Sequence, residues 1–213
     1  MLLYYITDRT PFGDTEAARR RGLLNQIRLA AEAGLDFIQL REKDLPVREL
    51  EALATEAAEI LRGSPTPRAR FLVNSRIDIA IAAGADGVHL RADDLPASEA
   101  RAIFAKAGIS EMCIAASCHT IEEIAAAEAH GADFAVFGPV FGKDAEAGVG
   151  IEQLRAACNR PRAALPRMPV LALGGVTPEN ATECMEAGAS GIAGIRIFQS
   201  SEIQDLVRRL RGR

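Results

Sequence analysis

Short apolar runs alternate along the chain with longer stretches rich in Ala, Glu and Arg, in which apolar residues recur every three or four positions. The runs lie near residues 2–6, 36–41, 70–74, 86–90, 113–117, 133–137, 169–173 and 190–195. The stretches of helical period lie near 20–33, 47–62, 77–83, 97–107, 121–130, 151–158, 179–187 and 202–211. Most runs are apolar throughout instead of alternating, as expected of a parallel sheet covered by helices. One phrase recurs: Ala33-Gly34-Leu35-Asp36, Ala83-Gly84-Ala85-Asp86, His130-Gly131-Ala132-Asp133 and Ala187-Gly188-Ala189-Ser190, each leading straight into a strand-like run. In each copy a helical pattern stops at Gly, the residue suited to the left-handed position just past a helix. Between successive copies sits one further strand and helix, so the unit is a βα pair of roughly 25 residues. Eight such units predict an α/β fold, a single (β/α)8 TIM barrel forming one domain over 1–213. Thr177, ahead of Pro178 and Asn180, is expected to cap the seventh helix.

In this architecture active sites form at the C-terminal ends of the strands. The polar residues with chemistry in them fall just after strands: Arg41 and Lys43, Asn74-Ser75-Arg76, His89 with Arg91, Asp93 and Asp94, Ser117-Cys118-His119, Lys143 and Asp144, Gly174-Gly175, and Gly194-Ile195-Arg196. The barrel therefore predicts one rim carrying all of them. Gln39, Arg41 and Lys43 are at alternate positions and share one face while the chain stays extended. Taken alone they read equally well as solvated charges or as a site for phosphate or pyrophosphate; the shared rim favours the anion. Gly174-Gly175 and Gly194 let backbone N–H groups approach a second phosphate, with Arg196 adding charge, although tight turns alone would also require glycine. Asp93 or Asp94, with Asn74, offers hard oxygen ligands to Mg²⁺, against a simpler role at the start of the helix after Leu95-Pro96. His119 is expected at the rim, either as an acid–base group or merely ahead of a capping box made by Thr120 and Glu123. His89 is expected in the core and His130 at a helix C-terminus.

Composition narrows the field. A net charge of −4 and a pI near 5.5 argue against a general nucleic-acid binder. No apolar run approaches the roughly 20 residues a membrane helix needs. The chain opens on a strand-like run without a basic leader, which predicts a cytoplasmic protein. Cys113, Cys118, Cys158 and Cys184 lack CxxC spacing and are expected as buried thiols in a reducing compartment. Lys43, Lys106 and Lys143 are the only lysines among 25 basic residues, which draws notice to the two that follow strands.

Several segments resemble thiamine-phosphate synthases: Tyr5-Ile6-Thr7-Asp8, Gln39-Leu40-Arg41-Glu42-Lys43, Asn74 followed by Arg76, Gly84 through Leu90 with Asp94, Ser117-Cys118-His119-Thr120, Phe137 through Phe141, and Ala172 through Thr177. The related TenI-type thiazole tautomerases share most of these. The resemblance covers almost the whole chain, in order. It implies a transferase that joins hydroxymethylpyrimidine pyrophosphate to thiazole phosphate, with Mg²⁺, through a pyrimidine-methylene cation. It further implies that Gln39, Arg41, Lys43 and Asn74 hold pyrophosphate, that Asp94 binds Mg²⁺, and that Ser117 contacts the pyrimidine. Gly175, Ile195 and Arg196 would surround the thiazole phosphate, and Lys43, Ser117 and His119 would be the catalytic group. A homodimer is within the family's range, and small phosphate and pyrophosphate compounds are the implied partners, with no nucleic acid or membrane.

Four departures stand out. Ser75 replaces the family's second Mg²⁺ carboxylate, which weakens the metal site unless Asp93 substitutes. Arg91-Ala92 replaces Gly-Gln. The loop after the sixth strand is reduced to Gly142-Lys143-Asp144, with Lys143 as the replacement for its lost polar residues. Arg196 replaces a Ser. The first and third lean toward a tautomerase that would use His119, or toward a non-catalytic phosphoester-binding relative; Gln39 and Asp94 lean toward the synthase.

Overall fold

The computed structural model describes residues 1–64, 69–142, 148–160 and 167–212. Its eight strands are β1 (Leu2–Ile6), β2 (Phe37–Leu40), β3 (Arg70–Asn74), β4 (Gly87–Leu90), β5 (Cys113–Cys118), β6 (Phe134–Phe137), β7 (Val170–Ala172) and β8 (Gly191–Gly194). All pair in parallel and in chain order, and β8 pairs back to β1, so the expected barrel closes. The helices are α1 (Glu16–Glu32), α2 (Val47–Arg62), α3 (Ile77–Ala83), α4 (Ala97–Lys106), α5 (Ile121–Ala129), α6 (Ile151–Cys158), α7 (Ala181–Glu186) and α8 (Ile203–Arg211).

The recurring phrase does two jobs. Its glycines, Gly34, Gly84, Gly131 and Gly188, all adopt positive φ, so each turns the chain out of a helix in the conformation an L side chain resists. Its Asp then staples the barrel floor. Asp36 Oδ2 accepts from Leu3 N at 2.7 Å, Asp86 Oδ2 from Phe71 N at 2.8 Å, and Asp133 Oδ2 from Ile114 N at 2.7 Å. Each carboxylate thereby satisfies a strand N–H that the parallel ladder leaves open at its start.

Strand parity decides what faces the axis. Tyr4, Ile6, Leu72, Cys113, Ala115, Phe134, Val136, Leu171 and Ala193 pack together inside the barrel. Their neighbours on the same strands, such as Leu3, Tyr5, Ile38, Val73, Val88 and Ile192, join the larger core under the helices. Both faces of every strand are thus dry, which is why the runs read as continuously apolar. The four cysteines are free and buried, as expected. No helix among the described residues is long and apolar enough to cross a membrane.

Beyond shifts of a single residue at other ends, three differences from expectation bear on the site. Helix α1 starts earlier, at Glu16, because Thr15 accepts a hydrogen bond from Ala18 N. Helix α7 starts later, at Ala181. Thr177 caps only a preceding turn, exchanging hydrogen bonds with Asn180: Thr177 N donates to Asn180 Oδ1 at 2.8 Å and Asn180 N to Thr177 Oγ1 at 3.4 Å. Strand β2 stops at Leu40, so Arg41 and Lys43 leave the sheet before they could share an extended face with Gln39.

Candidate active site at the barrel mouth

The loop after β2 is held by a buried arginine. Arg9, 3 % exposed, donates from Nη1 and Nη2 to Asp44 at 2.6 and 2.9 Å, from Nε and Nη2 to Glu16 at 2.7 and 3.1 Å, and from Nη1 to Glu42 at 3.2 Å. Glu42 also accepts from Thr7 Oγ1 at 2.6 Å and from Arg9 N at 3.1 Å. Burial pushes the Glu42 carboxyl up, while these bonds from Thr7 and Arg9 pull it down; Arg9 holds the Asp44 and Glu16 carboxyls below their ordinary range. With Glu42 turned inward, the alternate residues Arg41 and Lys43 turn outward to the mouth, half-buried and exposed respectively. The Lys43 ammonium is depressed first by Arg41, then by partial burial and Arg91, with Asp93 opposing. At this ammonium the like charges of Arg41 and Arg91 outweigh Asp93, an arrangement that suits an anion.

Gln39 lies deeper, in the barrel interior, and begins a chain of polar contacts. Its Nε2 donates to Tyr4 OH at 2.8 Å; Tyr4 OH lies 3.0 Å from His89 Nδ1; His89 Nε2 lies 2.7 Å from Ser117 Oγ. His89 is in the core, as expected, but it is tied to the rim through Ser117. Burial, and secondarily Arg41, lowers its pKa to about 3, so the ring is neutral at physiological pH. Tyr4 escaped the sequence reading because it sits in an apolar run; its even spacing from Ile6 on an inward face was the available signal. Arg9 and Glu42 offered no such local signal.

At the ends of β3 and β4, Ser75 Oγ donates to Asp94 Oδ2 at 2.6 Å, and Arg91 N donates to the same oxygen at 2.7 Å. Asn74 Nδ2 donates to Ser75 Oγ at 3.2 Å. Ser75 adopts φ 58°, a conformation uncommon for a residue with a side chain. Asp94 Oδ1 accepts from no described residue, and with the Asn74 carbonyl it offers hard oxygens to a cation. Asp93, the candidate replacement for the missing carboxylate, is exposed and ion-paired with Arg91. Among the described residues no three His, Cys, Asp or Glu side chains converge. Asp94 and Ser117 line one cavity of about 240 Å³ between α4 and α5.

Across the mouth, Gly174, Gly175, Ile195 and Arg196 line a cavity of about 510 Å³ together with Asp8 and Thr177. The glycines serve close approach: a Cβ on Gly174 would lie 2.5 Å from Pro139 Cα, and one on Gly175 2.7 Å from Phe141 Cβ. Their N–H groups donate to no backbone carbonyl among the described residues, so both requirements, tight packing and open donors, hold together. Arg196 is exposed at the cavity edge. His119 is at the rim, as expected: its Nδ1 lies 2.7 Å from Gly138 O, to which it donates, and its Nε2 has no partner among the described residues. The capping box is also present, with Glu123 N donating to Thr120 Oγ1 at 3.2 Å, but Glu123 reaches back to His119 N instead of Thr120 N. Lys143 and Asp144 lie outside the described residues.

The family model described as thiamine monophosphate synthase matches residues 3–198. A putative thiamine-phosphate synthase of Geobacter sulfurreducens is 42% identical over 197 residues, covering 90% of this chain and 83% of that protein. The thiamine-phosphate synthase of Moorella thermoacetica is 38% identical over 202 residues, covering 92% and 90%. Among solved structures, thiamine phosphate pyrophosphorylase from Pyrococcus furiosus superposes with a TM-score of 0.79 at 32% identity, covering 99% of this chain and 94% of that one.

Proposed function

The chain belongs to the thiamine monophosphate synthase family, and we propose from that premise that its barrel mouth condenses hydroxymethylpyrimidine pyrophosphate with thiazole phosphate, giving thiamine phosphate and pyrophosphate. The observation that carries this reading beyond kinship is the gathering of Arg41, Lys43 and Arg91 at the ends of β2 and β4 beside Asn74 and Asp94. The reaction needs little proton transfer. A pyrophosphate leaves, a resonance-stabilised cation forms, and the thiazole nitrogen attacks it, so positioning and anion stabilisation dominate. Arg41, Lys43 and the Asn74 amide hold the leaving pyrophosphate. Ser117, hydrogen-bonded by His89, contacts the pyrimidine; Gln39, expected with Arg41 and Lys43 at the pyrophosphate, instead donates to Tyr4 in the barrel interior. The N–H of Gly175, with Ile195 and Arg196, holds the thiazole phosphate across the mouth.

The donor set fits Mg²⁺ bound largely through substrate: the second oxygen of Asp94 is directed by Ser75 and Arg91 N holding the first. When bound, the ion neutralises charge on the pyrophosphate oxygens. A hydroxyl at Ser75, in place of a second carboxylate, leaves Asp94 as the one anionic ligand. Thiamine phosphate formation by purified protein, with Mg²⁺ and with EDTA, tests the reading. Turnover abolished by EDTA and by Asp94→Ala supports it; no product under any condition refutes it.

One observation favours a second reading, a thiazole tautomerase. His119 is oriented by Gly138 O, with Nε2 unpartnered among the described residues, an arrangement suited to moving a proton. Isomerisation of the thiazole carboxylate phosphate without metal, lost in His119→Ala, would establish it.

A further inference from the structure

With the Gln39 amide turned so that Nε2 faces Tyr4, the buried chain from Gln39 to Ser117 has one assignment of protons that leaves no donor idle. Gln39 Nε2 can only donate, so the Tyr4 oxygen accepts from it. The Tyr4 O–H then has His89 Nδ1 as its remaining partner, at 3.0 Å, and must donate to it. An imidazole that accepts at Nδ1 carries its proton on Nε2, which donates to Ser117 Oγ at 2.7 Å. With one Ser117 lone pair occupied by that N–H, the serine proton turns away from the ring. The reverse arrangement, with a proton on Nδ1 and the same Gln39 orientation, would strand the Tyr4 hydroxyl in a dry site.

Resting on the function proposed above, we infer that Tyr4 and His89 are positioning residues that fix Ser117 as a hydrogen-bond donor to the substrate's pyrimidine ring. A ring nitrogen with a free lone pair is the acceptor such a hydroxyl selects, whereas a protonated ring nitrogen would meet it donor to donor. The imidazole is locked from its flank as well. The Tyr4 ring lies 5.7 Å from that of His89, and packs edge-on against Phe37 at 5.7 Å and Phe134 at 5.4 Å. Tyr4 itself is fully buried. The depressed His89 pKa agrees with a ring that works as a neutral, single-tautomer donor.

The test combines a long-range ¹H–¹⁵N spectrum of the full-length wild-type protein at pH 7 with calorimetric binding of two probes. The probes are hydroxymethylpyrimidine pyrophosphate and inorganic pyrophosphate, each titrated into wild type, His89→Leu and His89→Gln. The spectrum is expected to place the His89 proton on Nε2. His89→Leu should weaken the pyrimidine compound about tenfold or more, and His89→Gln, which keeps an N–H near Ser117, by less than about threefold. Inorganic pyrophosphate should bind all three proteins alike. A proton on Nδ1, or equal losses for both probes, overturns the inference. If His89→Leu does not fold, the wild-type spectrum and His89→Gln still decide it. A wild type that binds the pyrimidine compound no better than pyrophosphate would instead sink the substrate reading, and the role of Ser117 with it.

Discussion

Replacing Arg9 by alanine exposes how the β2 loop is held. The guanidinium serves three carboxylates, and their exposures decide the cost. Glu16 and Asp44 are 48 % and 64 % exposed, so both return to water and lose little. Glu42, 2 % exposed, stays behind as a buried carboxylate whose charge only Thr7 and a backbone N–H now face. Breaking a buried pair by removing one partner costs about 3–5 kcal/mol. For a chain of 213 residues, unfolding entropy near 2.1 cal/mol/K per residue gives about 0.45 kcal/mol per degree, so the melting temperature should fall by roughly 9 °C. Thermal and urea melts at pH 7 measure this directly. Adding Glu42→Gln removes the stranded charge and should recover about half of the loss, a non-additivity of roughly 2 kcal/mol in the double-mutant cycle. A loss below about 1 kcal/mol for Arg9→Ala, or full additivity with Glu42→Gln, would refute the clamp.

The remaining predictions are more local. Lys43→Ala should lower kcat for thiamine phosphate formation by about 10²-fold, while shifting the melting temperature little because the side chain is exposed; steady-state kinetics beside a melt separate the two. His89 takes a proton near pH 6.5 when unfolded and only near pH 3 when folded, so its contribution is complete above pH 6.5 and drains away as pH falls toward 3. Between pH 7.5 and 4.5 wild type should therefore lose roughly 2–3 kcal/mol more stability than His89→Gln, read from urea midpoints at each pH. Gly174→Ala forces a Cβ to 2.5 Å from Pro139 Cα at φ 93°, so it should destabilise by about 2 kcal/mol and weaken thiazole phosphate binding; a melt unchanged within error would count against the close loop packing.

The eight βα units, the glycines that end the helices and the rim positions of Arg41, Lys43, Asn74, Asp94, Ser117 and His119 were legible in the chain. Each depends on near neighbours: apolar period sets the element, a Gly ends it, and in a parallel barrel every strand ends at the same face. What those residues touch was not legible. Arg9 meets Glu42 across 33 positions, Tyr4 meets His89 across 85, and His89 meets Ser117 across 28. Tyr4 read as one more apolar strand residue, and Asp93 as a spare ligand, although its carboxylate is taken by Arg91. Local pattern thus sets the order of the strands and, to within a residue or two, which side chains follow each of them. Closure of the barrel alone decided which inward positions share a tier, and so placed a tyrosine hydroxyl against an imidazole. The reason is physical: register and stagger belong to the whole ring of eight strands, and no segment of the chain carries them locally.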